Sequence, residues 1–213
     1  IILNLIFCKR FNNLSMQKIL VATRNAGKFK GLMEGLGDLP FDFVSLTDIA
    51  LEGDLEETGE TYEENAILKA EFFGEKSGLV TIADDSGIVV DALKGELGVK
   101  TRRWGAGPTA TDAEWLDFFL KRLAQEKSRR AEFICVVALY RPNEKTITFR
   151  GETDGVIVEK PEVEIEKGIP ISSVFKPDGH SKVYSAFTKE ELVTISHRGK
   201  AVSLCRSFLI KMA

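Results

Sequence analysis

Two spacings of apolar residues alternate along the chain. Ile19-Leu20-Val21-Ala22 is an unbroken apolar run, short enough for a buried strand, and it ends at the polar stretch Thr23-Arg24-Asn25-Ala26-Gly27. From Lys28 to Leu36 the apolar residues Phe29, Leu32, Met33 and Leu36 recur every three or four positions, which predicts a helix. Residues 41–46 read as a second strand, followed by an acidic loop over 48–60. Thr61-Tyr62-Glu63-Glu64 has the form of a capping box, so a helix runs from there to about Ser77, where Gly78 stops it. Leu79-Val80-Thr81-Ile82-Ala83 is a buried strand that breaks at Asp84-Asp85-Ser86-Gly87, with Ile88-Val89-Val90 continuing beyond. A second capping box, Thr111-Asp112-Ala113-Glu114, opens a helix whose Trp115, Phe118, Phe119 and Leu123 face inward. Residues 133–140, 146–150 and 156–158 read as antiparallel strands, joined by turns at Pro142-Asn143 and Thr153-Asp154-Gly155. A last helix from Ser196 carries Ala201, Cys205, Phe208 and Met212 on one stripe. Strand and helix in alternation, followed by a meander, predict an α/β protein. Its expected form is a long mixed β-sheet flanked by helices, in two lobes with a central cleft.

Composition narrows the function. The 29 basic and 32 acidic residues give a net charge of −3, and no long block has one sign. No broad cationic surface is left to hold a nucleic-acid polymer by counterion release. The three cysteines Cys8, Cys135 and Cys205 are far apart and lack CxxC or His pairing. They support neither a disulfide framework nor a zinc site, and predict a cytoplasmic setting. Residues 1–15 run apolar first and cationic second, the reverse of a secretory signal, and are taken as extraneous to a single domain over 16–213. No apolar run reaches the roughly 18 residues of a bilayer span, so no membrane partner is expected.

Four stretches carry candidate chemistry. Arg24, Lys28 and Lys30 sit at or near a helix start, where cations oppose the macrodipole unless an anion lies among them; the alternative is a solvated surface turn. Lys69 falls between Tyr62, Ala66 and Phe73 on the inward stripe of its helix. It either snorkels to solvent or meets the same anion from another side. Asp84-Asp85-Ser86-Gly87 follows an apolar strand, and Glu56-Glu57-Thr58-Gly59 adds a second acidic pair. Such oxygen donors suit Mg²⁺, which binds through one or two carboxylates plus substrate phosphates; a tight turn capped by Asp84 is the plainer reading. His197 and Arg198 follow the cap residue Ser196 and read either as packing residues or as ligands for a polyanion or a base edge. No Ser-His-Asp or Cys-His spacing supports covalent catalysis.

In order, Ala22-Thr23-Arg24-Asn25-Ala26-Gly27-Lys28, Glu56 through Ala66 with Lys69-Ala70, Ala83-Asp84-Asp85-Ser86-Gly87 and Ser196-His197-Arg198 resemble the inosine triphosphatase family of nucleoside-triphosphate pyrophosphatases. The resemblance implies an elongated α/β fold with a central cleft, a homodimer, and Mg²⁺-dependent hydrolysis of deaminated purine nucleotides (ITP, dITP, XTP) to the monophosphate and pyrophosphate. It implies that Thr23, Asn25 and Lys28, in the stretch that includes Arg24, hold the phosphates with Lys69 adding charge. Glu57 and Asp85 would hold the metal, Asp85 would also act as general base, Ser86 would touch substrate, and His197 and Arg198 would meet the nucleoside. Where the family reads G-F-G-Y-D-P-x-F, this chain reads Gly168-Ile169-Pro170-Ile171-Ser172-Ser173-Val174-Phe175. Ile169 and Ile171 replace stacking rings and Ser172 an aspartate; Leu192 and Ala186 are further departures on the nucleoside side. A pyrophosphatase with altered base specificity, or a catalytically silent nucleotide-binding homologue, are the rival expectations.

Overall fold

The computed structural model describes residues 16–53, 55–94, 96–99, 104–107 and 109–212; the segment 1–15 and Cys8 lie outside them. Six strands form one sheet in the order β2-β1-β3-β4-β5-β6: β1 (Lys18–Val21), β2 (Asp42–Ser45), β3 (Val80–Val90), β4 (Arg130–Tyr140), β5 (Ile147–Ile157) and β6 (Phe175–Pro177). β1 runs parallel to β2 and β3, whereas β3 to β6 are antiparallel. The expected mixed sheet flanked by helices is therefore present.

Helix α1 (Ala26–Leu36) begins where Asn25 accepts hydrogen bonds from the backbone of Gly27 and Lys28. Its Leu32 and Leu36 are fully buried, with Phe29 and Met33 packed beside them. Helix α2 (Tyr62–Ser77) opens with the expected Thr61–Glu64 capping box and ends at Gly78, whose φ of 69° is the left-handed conformation that glycine adopts without strain. Helix α3 (Asp112–Leu123) likewise carries its Thr111–Glu114 box. A short helix α4 (Lys189–Ile195) precedes α5 (His197–Ile210), capped by Ser196.

Alternation along the strands divides the core in two across the sheet. Ile82, Cys135 and Val137 face α1 and α5, packing with Leu32, Leu36, Ala201 and Cys205; Ala83, Ile134 and Val136 face α2, packing with Tyr62, Ala66 and Phe73. A third cluster, built on Ile88, Trp115, Phe119, Val174, Phe175 and Tyr184, forms the distal lobe around α3. Trp115 and Phe119 stack there at 5.4 Å between ring centroids.

Three expectations need correction. Asp84-Asp85-Ser86-Gly87 is not a turn at a strand end but the middle of the eleven-residue β3, paired in sequence with Val137, Val136, Cys135 and Ile134 of β4. Thr153-Asp154-Gly155 is also ladder rather than turn. Thr153 opposes Phe133, and Gly155 pairs with both Ala131 and Pro177, so the two expected strands are the single β5. In both cases flanking strands override the local turn preference of Asp and Gly. Phe118 is 38% exposed rather than core. Its ring rests on Gly105 and meets Trp104 edge-on at 5.1 Å, outside the α3 face that carries Trp115, Phe119 and Leu123. The Pro142-Asn143 turn is present, with Asn143 at φ 64°.

Candidate active site

The site forms where β1 stops and β3 continues. The β1 ladder ends at Val21 opposite Ile82, and Ala22 makes one more backbone bond to the Ile82 carbonyl. Beyond it the chain turns through Thr23-Arg24-Asn25 into α1, leaving Asp84 to Gly87 of β3 without a β1 neighbour. Open α/β sheets hold ligands in such a crevice, at the carboxyl end of a strand. Because strand side chains alternate, Asp84 and Ser86 share the face under α1 and α5, while Asp85 points to the α2 face. The two carboxylates thus avoid facing one another and meet cations from both layers.

Lys28, in the first turn of α1, spans the edge: its Nζ lies 3.5 Å from Asp84 Oδ2 and 3.7 Å from Asp85 Oδ1. Lys69 of α2 donates to Asp85 Oδ1 at 3.3 Å and to Glu57 Oε1 at 2.9 Å, so the inward lysine has its partners. Arg198, in the first turn of α5, donates from Nη2 to Ser86 Oγ at 2.9 Å and lies 3.6 Å from Asp84 Oδ2. Three carboxylates and three cations from five segments (the loop at Glu57, α1, α2, β3 and α5) therefore converge, and their formal charges cancel.

Two glycines permit this convergence. A Cβ at Gly87 would stand 2.5 Å from Tyr62 Oη, so the glycine lets the start of α2 close onto β3. A Cβ at Gly151, two ladder steps across from Ser86 through Cys135, would stand 2.1 Å from the His197 carbonyl. Its absence lets the first turn of α5 rest on the sheet and deliver Arg198 to Ser86.

The site is electrostatically tuned. Burial raises a carboxyl, yet at Asp84 the charges of Lys28, Arg198 and Lys69 outweigh it and hold the group below the ordinary aspartate range. Burial works against the Lys69 ammonium, but Asp85, Asp84 and Glu57 more than compensate and keep it firmly protonated. His197 is driven well below the usual histidine value, first by burial and then by Arg198. It is neutral at pH 7, its ring stacked on Phe133 at 4.7 Å and 15° and parallel to Tyr184 at 6.0 Å.

A cleft of about 770 Å³ opens from this cluster. One wall carries Asn25, Lys28, Gly31, Ser86 and Arg198; the other, from the distal lobe, carries Trp115, Ile169, Ile171, Ser172, Phe187 and Leu192. Ser172 lies on the 3₁₀ turn Pro170–Ser173, and Ile169 is 44% exposed at the mouth.

Of the expected site residues, Lys28, Lys69, Glu57, Asp85, Ser86 and Arg198 come together directly. Thr23 and Asn25 stand at the turn above them: Thr23 Oγ1 accepts from the Asn25 backbone at 3.2 Å while Asn25 caps α1. His197 and Ser172 line the cleft further out. Arg24 is directed elsewhere, its Nη2 donating to the Gly53 carbonyl at 2.6 Å, so its cation braces the acidic loop. The residue whose place in the site sequence reasoning missed is Asp84, read with Asp85 as an oxygen donor for a metal or else as a turn cap. An unbroken β-pairing through 84–87 would have shown that it points to the opposite face from Asp85.

Residues 19–208 match the Ham1 family. The dITP/XTP pyrophosphatase of Deinococcus deserti is 40% identical over 187 residues, spanning 88% of this chain and 86% of that protein. That of Haemophilus influenzae is 40% identical over 197 residues, spanning 91% and 99%. Among solved structures, a HAM1 protein from Coxiella burnetii superimposes with a TM-score of 0.82 at 34% identity, over 92% of this chain and 100% of that one. The Staphylococcus aureus Ham1 protein gives 0.81 at 32%, over the same shares.

Proposed function

The chain belongs to the Ham1 family, and from that membership and the charge cluster we infer a nucleoside-triphosphate pyrophosphatase that hydrolyses deaminated purine nucleoside triphosphates to the monophosphate and pyrophosphate. The observation that carries this reading is the convergence of Lys28, Lys69 and Arg198 on Asp84, Asp85 and Glu57, with Lys28 and Arg198 opening onto a cleft that Trp115, Ile169, Ile171, Phe187 and Leu192 also line. The cations suit a polyphosphate, and the apolar side chains suit a flat, weakly hydrated base.

The residues also fit a divalent cation. Glu57 and Asp85 offer hard oxygen donors on either side of one ammonium, and Mg²⁺ needs only one or two carboxylates when phosphates and water complete its shell. A neutral cluster could not by itself balance a triphosphate, so charge supplied with the substrate is required. When bound, Mg²⁺ supplies that charge and acidifies a coordinated water.

In this account Lys28 and Lys69 bind the phosphates, assisted by the Thr23-Asn25 turn, and compensate the charge that grows on the phosphoryl oxygens. Asp85 takes a proton from the attacking water. The water oxygen bonds to the α-phosphorus, the bond to the bridging oxygen breaks, and pyrophosphate leaves with that oxygen. Ser86, held by Arg198, contacts the substrate, and His197 supports the nucleoside end as a neutral ring. Release of pyrophosphate, rather than phosphate, from ITP, dITP and XTP tests the reading; phosphate alone would contradict it.

A second reading concerns the base. The turn Ile169–Ser172 presents two aliphatic side chains and one hydroxyl to the cleft, which Trp115, Phe187, Asp112 and Glu166 also line. This favours weaker discrimination among bases, and comparable kcat/KM for XTP, GTP, dUTP and ITP would establish it. A single domain over 16–213 is supported by the one sheet that runs through both lobes. The homodimer is supported by the sequence resemblance, and the cytoplasmic setting by the free cysteines Cys135 and Cys205. No helix among the described residues is long and apolar enough to cross a membrane.

A further inference from the structure

Asp84 has no part in the chemistry above, yet it is the least expected group in the site. Its carboxylate is fully buried in the middle of β3, and neither oxygen accepts a hydrogen bond from the described residues. An isolated carboxylate in that position is strongly unfavourable, and a serine or valine would complete the strand at lower cost. What it touches are two cations from different helices: Lys28 of α1 at 3.5 Å and Arg198 of α5 at 3.6 Å, both on the same oxygen. Arg198 in turn holds Ser86, and its Nε is buried without a partner. Lys28 and Arg198 would repel one another across the cleft without a charge between them. Each also stands in a helix first turn that disfavours positive charge.

We propose that Asp84 is a positioning residue, the buried counter-charge that holds Lys28 and Arg198 in one fixed arrangement and limits how tightly Lys28 grips phosphate, so that pyrophosphate can leave. The proposal rests on the reading of Lys28 as a phosphate ligand. Asp84 touches neither substrate nor metal in it; the carboxylate acts only through the two cations.

The test is calorimetric binding of magnesium pyrophosphate, without turnover, alongside steady-state kinetics with ITP, on the full chain. Asp84→Asn removes the charge in nearly the same shape. Pyrophosphate should bind about tenfold tighter or more, KM should fall, and kcat should fall by about tenfold as the cations lose their geometry and product is retained. A merely structural role would move KM and pyrophosphate affinity the other way. Asp84→Glu keeps the charge but displaces it by one methylene. Pyrophosphate affinity should then stay within about threefold of wild type while kcat falls, and tightening in this variant would overturn the proposal even where Asp84→Asn does not fold. Unchanged or weaker pyrophosphate binding in folded Asp84→Asn would also overturn it. Lys28→Met separates the two claims. If it leaves pyrophosphate binding intact, the phosphate assignment of Lys28 fails; if it weakens binding while Asp84→Asn does not tighten it, only the role of Asp84 fails.

Discussion

His197 gives the fold a calculable dependence on pH. It is buried against Phe133, its Nδ1 has no hydrogen-bond partner, and burial followed by the Arg198 charge holds its pKa well below the ordinary histidine value. The native state therefore keeps the ring neutral, whereas the unfolded chain protonates it near pH 6.5. Where the unfolded state binds more protons, stability falls as pH falls, so this contribution is intact above pH 6.5 and is lost progressively below it. A native ring that stays neutral makes the loss between pH 7.5 and pH 5.5 on the order of 1–2 kcal/mol. For a chain of this size that corresponds to roughly 3–5 °C in Tm. The assay is thermal unfolding of wild type and His197→Phe at both values, each protein compared with itself, so that a change in absolute stability cancels. The variant should lose roughly 3–5 °C less than wild type over the interval. Equal losses in the two proteins would refute the reasoning.

Three further outcomes follow from the geometry. Asp85→Asn should lower turnover by about 10²–10⁴-fold while nucleotide binding is retained, as measured by pyrophosphate release and calorimetry; undiminished turnover would remove Asp85 from the role of base. Gly87→Ala drives a methyl group toward Tyr62 Oη, to within 2.5 Å if nothing shifts. It should cost about 1–3 kcal/mol in denaturant unfolding, and an unchanged midpoint would show that α2 does not close on β3 there. Chelation of divalent ions should abolish pyrophosphate release and added Mg²⁺ should restore it, with persistent turnover in chelator counting against the roles given to Glu57 and Asp85.

The helices were legible because their ends are written locally. Thr61 with Glu64 and Thr111 with Glu114 form the reciprocal caps that their spacing predicts, and Gly78 adopts the left-handed stop. A third box, Thr188 with Glu191, opens α4 and went unread because the helix behind it is a seven-residue piece with no buried residue to mark a stripe. The strands failed where their pairing is decided elsewhere in the chain. Asp84 to Gly87 and Thr153 to Gly155 carry the residues of turns, but each lies between two established partners that keep it extended. The charged residues of the site could be chosen from the sequence because cations at helix starts and adjacent carboxylates are unfavourable without partners. Which cation meets which carboxylate was not readable, because it depends on Asp84 and Asp85 facing opposite sides of a strand expected to end there. Arg24 illustrates the same limit: its Gly53 partner is 29 residues away on the acidic loop.

The central claim is that a triphosphate tail is received at the carboxyl end of β1 by cations otherwise balanced against Asp84, Asp85 and Glu57. A crystal structure with Mg²⁺ and an inosine triphosphate analogue carrying a methylene in place of the α–β bridging oxygen measures this directly. The account predicts phosphate oxygens in contact with Lys28 and Lys69, the α-phosphorus facing Asp85, and the base in the cleft between His197 and the Ile169–Ser172 turn. Phosphates bound anywhere else, with the six charged groups still paired among themselves, would contradict it.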